Sequence, residues 1–187
     1  MATVDELLEE ARSRMQKSVE HSRNEFNTVR TGRASASLLD RIEVDYYGTQ
    51  TPLRQLSTIN VPEPRMLTVQ PFDPSSIKAI EKAIQESDLG LTPSNDGKLI
   101  RLPIPQLTEE RRKELVKVVR HMAEEGRVAV RNVRRDAIKH LEELVKNGTV
   151  GDDDERAAEG RVQKLTDEHV ARIDDLLKRK EAEIMEV

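Results

Sequence analysis

Residues 108–148 read TEERRKELVKVVRHMAEEGRVAVRNVRRDAIKHLEELVKNG, and this stretch decides the fold. Leu115, Val119, Met122, Gly126, Ala129, Val133, Ala137, Leu141 and Leu144 recur in it at steps of three and four. That spacing marks one face of a helix. Thr108 with Glu110 and Arg111 opens the helix, and Asn147-Gly148 closes it. From Thr108 to Lys146 it spans 39 residues, about 58 Å at the α-helical rise. Gly126 costs about 1 kcal/mol against Ala in a helix interior, so it is expected on the seam, where a neighbouring helix comes close. A narrow apolar seam on so long a helix needs partner helices to cover it.

The partners lie at the two ends of the chain. Val4, Leu8, Ala11, Met15, Val19, Ser22, Phe26 and Val29 form one stripe, with Thr3 and Glu6 spaced as a capping box. Gly32 marks a stop near Arg30. Asp152, capping towards Glu155, opens the other helix, whose stripe runs Ala158, Val162, Leu165, His169, Ile173, Leu176 or Leu177, and Ile184. Three such helices predict one bundle with coiled-coil-like packing. The first two helices are separated by 74 residues, so residues 31–104 are an insertion. There the period changes: Ile42, Val44 and Tyr46 alternate with Glu43 and Asp45, a half-buried strand. Short β-like runs follow at 56–61 and 66–70, a helix carrying Ile77, Ile80 and Ile84 opens after Asp73-Pro74, and Asn95-Asp96-Gly97 turns into a last strand at 99–102. The expected fold is α+β: a long three-helix bundle of residues 1–30 and 105–187 with an inserted small β/α/β domain at 31–104. Two crossings join them, Thr31-Gly32-Arg33 and Pro103-Ile104-Pro105, and both read as hinges.

Composition removes whole classes of function. The 187 residues contain no Cys, which excludes disulfide scaffolds, thiolate zinc sites and thiol nucleophiles. No apolar run approaches the 18 residues of a spanning helix, and the acidic start lacks a signal-peptide pattern; the expected address is the cytoplasm. Asn147-Gly148-Thr149 then reads as a turn and not as a glycosylation site. His21, His121, His140 and His169 have no metal-ligand spacing, and neither a P-loop nor a dinucleotide fingerprint occurs. Asp152–Glu155 could be a divalent-metal cluster, but a helix start favours acids for dipole reasons. His169 falls in a seam and reads as a packed residue. No catalytic residue, metal or cofactor is expected.

Net charge is −4, yet residues 108–140 carry ten Lys and Arg against six Asp and Glu, while 148–187 carry seven against twelve. Arg127, Arg131, Arg134 and Arg135 fall within nine residues that hold no acid. On a helix Arg120, Arg127, Arg131 and Arg134 lie within about 60° of one another and about 110° from the apolar stripe. Such a ridge is either a solvated face paired to acids elsewhere in the bundle or a phosphate-binding surface. Two features favour phosphate: arginine dominates over lysine, and the positions four before Arg131 and Arg135 are arginines, not acids. Arg30 and Arg33 flank Gly32 as a second basic site at the domain junction.

Six segments resemble signatures of the bacterial ribosome recycling factor family: 29–35 (VRTGRAS), 45–48 (DYYG), 51–56 (TPLRQL), 87–91 (SDLGL), 107–115 (LTEERRKEL) and 128–136 (VAVRNVRRD). They occur in order over the full length. The resemblance implies a near-L-shaped monomer of roughly transfer-RNA size, with the bundle as the long arm. It implies binding to the post-termination ribosome and, with elongation factor G and that partner's GTP hydrolysis, separation of the subunits. It also implies that the bundle contacts large-subunit ribosomal RNA through arginines matching Arg30, Arg131 and Arg134; Arg33, Arg120, Arg127 and Arg135 complete the candidate RNA surface, and no membrane partner is implied. With four aromatics in the chain, exposed stacking platforms are not expected, which favours phosphate contacts over single-strand stacking. Two other classes compete: an adaptor coiled coil whose arginines are all paired, and a hydrolase using Asp153 and Asp154 with a metal.

Overall fold

The computed structural model describes residues 3–186. In chain order the elements are α1 (Val4–Thr28), β1 (Glu43–Tyr46), β2 (Thr49–Pro52), α2 (Leu53–Leu56), β3 (Ser57–Glu63), β4 (Met66–Pro71), α3 (Ile77–Gln85), β5 (Ser94–Asn95), β6 (Ile100–Pro103), α4 (Glu109–Lys146) and α5 (Asp152–Met185). They form two compact units, Met1–Arg30 with Glu109–Val187, and Thr31–Thr108.

The first unit is the bundle. The Thr3 hydroxyl accepts from the Glu6 amide at 3.2 Å and the Glu6 carboxylate accepts from the Thr3 amide at 2.8 Å, a closed capping box. Leu7, Leu8, Ala11, Met15, Val19, Ser22 and Phe26 are the buried face of α1. Helix α4 runs unbroken through Gly126 and antiparallel to both neighbours. Arg14 of α1 meets Asp136, and Arg127 meets Asp174 of α5. A Cβ on Gly126 would sit 2.2 Å from Ser22 Oγ and 3.1 Å from Ile173 Cδ1. Gly126 therefore stands where all three helices converge, and any side chain there must displace Ser22 Oγ. At the end of α4, Gly148 takes φ +68° and the Thr149 amide donates to the Leu144 carbonyl, closing the helix in a left-handed cap.

One helix start differs from expectation. The N-cap of α5 is Gly151, whose carbonyl accepts from the Glu155 amide at 2.9 Å, and Asp152 is the first helical residue with no capping bond. Gly151 already supplies the extended backbone a cap needs, at φ −84° and ψ 161°. The acids at 152–155 thus act through the helix dipole alone.

The second unit has its own core of Leu39, Val44, Leu53, Leu67, Val69, Ile80, Ile84, Ile100 and Leu102. Around it lie a two-stranded sheet, β1-β2, and a four-stranded sheet in the order β3-β4-β6-β5. Every pairing is antiparallel. The Tyr47-Gly48 turn joining β1 to β2 has φ of 50° and 82°, the two positive values of a type I′ hairpin. The Asp45 carboxylate accepts from the Gly48 amide and holds the turn. Pro103 belongs to β6 opposite Met66, and the Ile104 amide donates to the Arg65 carbonyl at 2.8 Å. The sheet thus continues through Pro103, because its missing amide falls where no ladder bond is required.

Candidate nucleic-acid interface

The buried residues of α4 are Leu115, Val119, Ala123, Gly126, Val130, Val133, Ala137 and Leu141. Met122, Ala129 and Leu144, expected on the seam, are only half-buried. The true seam is turned about 25° towards the arginines, because α4 packs against α1 on one flank and α5 on the other. The ridge consequently borders the seam instead of standing clear of it.

That shift divides the arginines. Arg120 donates through Nε to Glu181 of α5. Arg127 donates through Nε to Asp174 at 2.7 Å and through Nη1 to Glu124 at 2.9 Å, and its side chain is 21% exposed. Burial works against the Arg127 charge, but the bonds to Asp174 and Glu124 outweigh it and raise its pKa. Arg131 reaches Glu124 at 3.1 Å. Hydrogen bonds from Arg127 and then Arg131 hold the Glu124 carboxyl below its ordinary range. The missing acids at i−4 did not leave the ridge unpaired; acids at i−3 and i−7 and on α5 serve instead. Those across the helix interface, 47 and 61 positions away, lie beyond any local pattern.

Arg134 is different. It lies half-buried on the same flank, its Nε is shut off from solvent, and no side chain accepts from it. Among the described residues its guanidinium makes no ion pair or hydrogen bond. Arg135 is exposed further round the helix, and the adjacent Asp136 is occupied by Arg14 at 2.8 Å. Arg30 is exposed just past α1. By the α1–α4 register, Thr28 at the end of α1 lies level with residue 120 of α4, about 21 Å along the axis from Arg134, and Arg30 follows it by two residues. Arg33 is exposed in the second unit.

The remaining candidates resolve as follows. His169 is buried with Nδ1 2.6 Å from the Leu165 carbonyl, a packed residue. Among the described residues no group of three or more His, Cys, Asp or Glu is placed to hold a metal ion. No described helix is long and apolar enough to cross a membrane. Exposed aromatics, not expected from the sequence, do occur: Tyr47 is 81% and Phe72 67% exposed. Tyr47 is carried outward by the hairpin turn, and Phe72 follows the last residue of β4. Both belong to the second unit, so the arginine flank itself offers no stacking platform.

The sequence profile of the ribosome recycling factor family matches residues 22–185. A ribosome-recycling factor of Rubrobacter xylanophilus is 58% identical over 180 residues, covering 96% of this chain and 97% of that protein. One from Bacillus subtilis is 58% identical over 182 residues, covering 97% and 98%. A solution structure of the ribosome recycling factor superposes over 100% of both chains with a TM-score of 0.73 and 44% identity. A second similar structure comes from models of the T. thermophilus ribosome recycling factor and E. coli elongation factor G bound to the E. coli post-termination complex; it covers 99% of this chain with a TM-score of 0.63 and 50% identity.

Proposed function

The chain belongs to the ribosome recycling factor family, and from that premise we propose that it binds the post-termination ribosome and, with elongation factor G hydrolysing GTP, splits it into subunits for reinitiation. The bundle meets large-subunit ribosomal RNA through its arginine flank. The observation that supports this most is Arg134, half-buried on that flank with a buried Nε that meets no acceptor among the described residues. An arginine kept so has its planar fork available for a phosphate. Arg131, Arg135 and Arg30 add phosphate contacts elsewhere on the bundle and Arg33 adds one from the second unit; such contacts fix position without reading sequence. Arg120 and Arg127, already committed to α5, hold the flank in shape.

The protein acts as a monomer in the cytoplasm and supplies no catalytic group; GTP hydrolysis belongs to the partner. The two units pivot about the crossings. Because Pro103 and Ile104 are bound into the sheet of the second unit, the pivot sits at the Arg30–Thr31 and Thr108–Glu109 junctions.

The adaptor reading draws on the paired arginines, and it requires Arg134 to be dispensable. Purified post-termination ribosomes mixed with elongation factor G, GTP and this protein should dissociate, as read by light scattering. Co-sedimentation should weaken with a linear log–log salt dependence. A protein that leaves ribosomes intact under saturating partner and GTP rejects the recycling reading. Salt-independent binding that survives Arg134→Ala would favour the adaptor.

A further inference from the structure

Arg120 and Arg127 are seven residues apart on α4, and their partners Glu181 and Asp174 are seven apart on α5, running the opposite way. Both bonds across the helices are made by the arginine Nε. One more step of seven reaches Arg134 on α4 and Asp167 on α5. This third rung is open. Arg134 Nε, the equivalent atom, is buried without an acceptor. Asp167 instead accepts from Gln163 Nε2, one turn earlier on its own helix, at 2.8 Å.

We propose that Gln163 is a positioning residue that holds Asp167 away from Arg134 and so keeps the guanidinium free for an RNA phosphate. The inference rests on the proposed RNA contact of the arginine flank. A closed third rung would pin the guanidinium through its buried Nε edge and neutralise the charge that a phosphate needs at the outer nitrogens. Asp167, fixed on the neighbouring helix, would also compete intramolecularly and at high effective concentration. The Gln–Asp bond at i,i+4 is modest, but it need only tip a choice between two acceptor positions. The energetic signature is unusual: closing the rung satisfies a buried donor, so it stabilises the fold while weakening binding.

The test uses the full-length protein and purified 70S ribosomes. Gln163→Met keeps side-chain length and helix propensity but removes the donor. Its expected effect is a loss of affinity of about 3–10-fold, as for a contact closed off but not deleted, with a melting temperature unchanged or raised. In NMR the Arg134 Nε–H should shift downfield as it gains a carboxylate acceptor, which a merely structural role of Gln163 would not produce. Asp167→Asn in that background should restore binding, and by more than the same change improves the otherwise unaltered protein, since only coupled residues deviate from additivity. Wild-type affinity in Gln163→Met overturns the proposal. So does a lowered melting temperature with binding that Asp167→Asn fails to restore. Arg134→Ala binding as tightly as the unaltered protein would instead reject the RNA contact itself, and is told apart because it is independent of residue 163.

Discussion

Arg127 and Arg134 occupy equivalent places on one flank of α4, and their environments predict opposite responses to truncation. Arg127 joins α5 and its own helix through two carboxylates with most of its side chain covered. Arg127→Ala should lower stability by about 1 kcal/mol, seen as a lower melting temperature, with a smaller effect on ribosome binding. Arg134 makes no internal bond among the described residues, so Arg134→Ala should leave the melting temperature nearly unchanged while weakening 70S binding by about 1–3 kcal/mol, the value of a charge-assisted contact. Affinity and unfolding measured on the same preparations separate the two; a stability loss confined to Arg134→Ala would reverse the assignment. Glu124 provides a pH test at the same scale. Its folded pKa lies below the ordinary glutamate range, through hydrogen bonds from Arg127 first and Arg131 second. The stability it contributes is therefore present above the unfolded pKa and lost as pH falls through the folded one. Side-chain carboxyl NMR should show Glu124 titrating below the ordinary glutamate range, and Arg127→Met should move it back up.

Among the elements, α4 is the one most constrained, at Gly126. Gly126→Leu should destabilise the bundle by about 1–3 kcal/mol or more through overpacking, as Ser22 and Ile173 already fill the space. Gly126→Ala gains about 1 kcal/mol of helix propensity but must displace Ser22 Oγ, so Ser22→Ala should recover part of its loss. Denaturant midpoints decide this, and an additive double mutant would show that the two residues do not compete for space. The long helices were legible because their stripes persist over many turns, and the Thr3–Glu6 box and Asn147-Gly148 stop were written locally. The face of α4 was legible only to within about 25°: two neighbours widen the seam, and small residues such as Ala123 and Ala129 look alike until a partner selects one. Strand β2 could not be read, since Thr49–Pro52 has no buried side to produce an alternating pattern, and β5 is two residues long. Within the site, the arginine ridge was visible from spacing, but its division into committed and free members depends on acids of α5 remote in sequence.

For the whole molecule, each unit encloses its own apolar core, and two short stretches of chain connect them. If the units pivot at 30–31 and 108–109, backbone ¹⁵N relaxation should give different effective correlation times for residues 31–108 and for the bundle; one shared value would reject the pivot. Within the bundle, the seven-residue spacing of Arg120, Arg127 and Arg134 against Asp167, Asp174 and Glu181 carries a liability for assembly. Sliding α5 by one heptad, about 10.5 Å, would again oppose arginines to acids: Arg127 to Glu181, and Arg134 to Asp174. Charge thus recognises the neighbouring helix without counting along it, like a zip that engages one tooth out of step. The notch at Gly126, which accepts Ser22 and Ile173 from two sides at one height only, is what makes the aligned arrangement unique. Filling it should therefore do more than crowd the native packing: it should admit offset bundles into the refolding ensemble, visible as a slow phase that appears with Gly126→Leu and is absent from the unaltered chain.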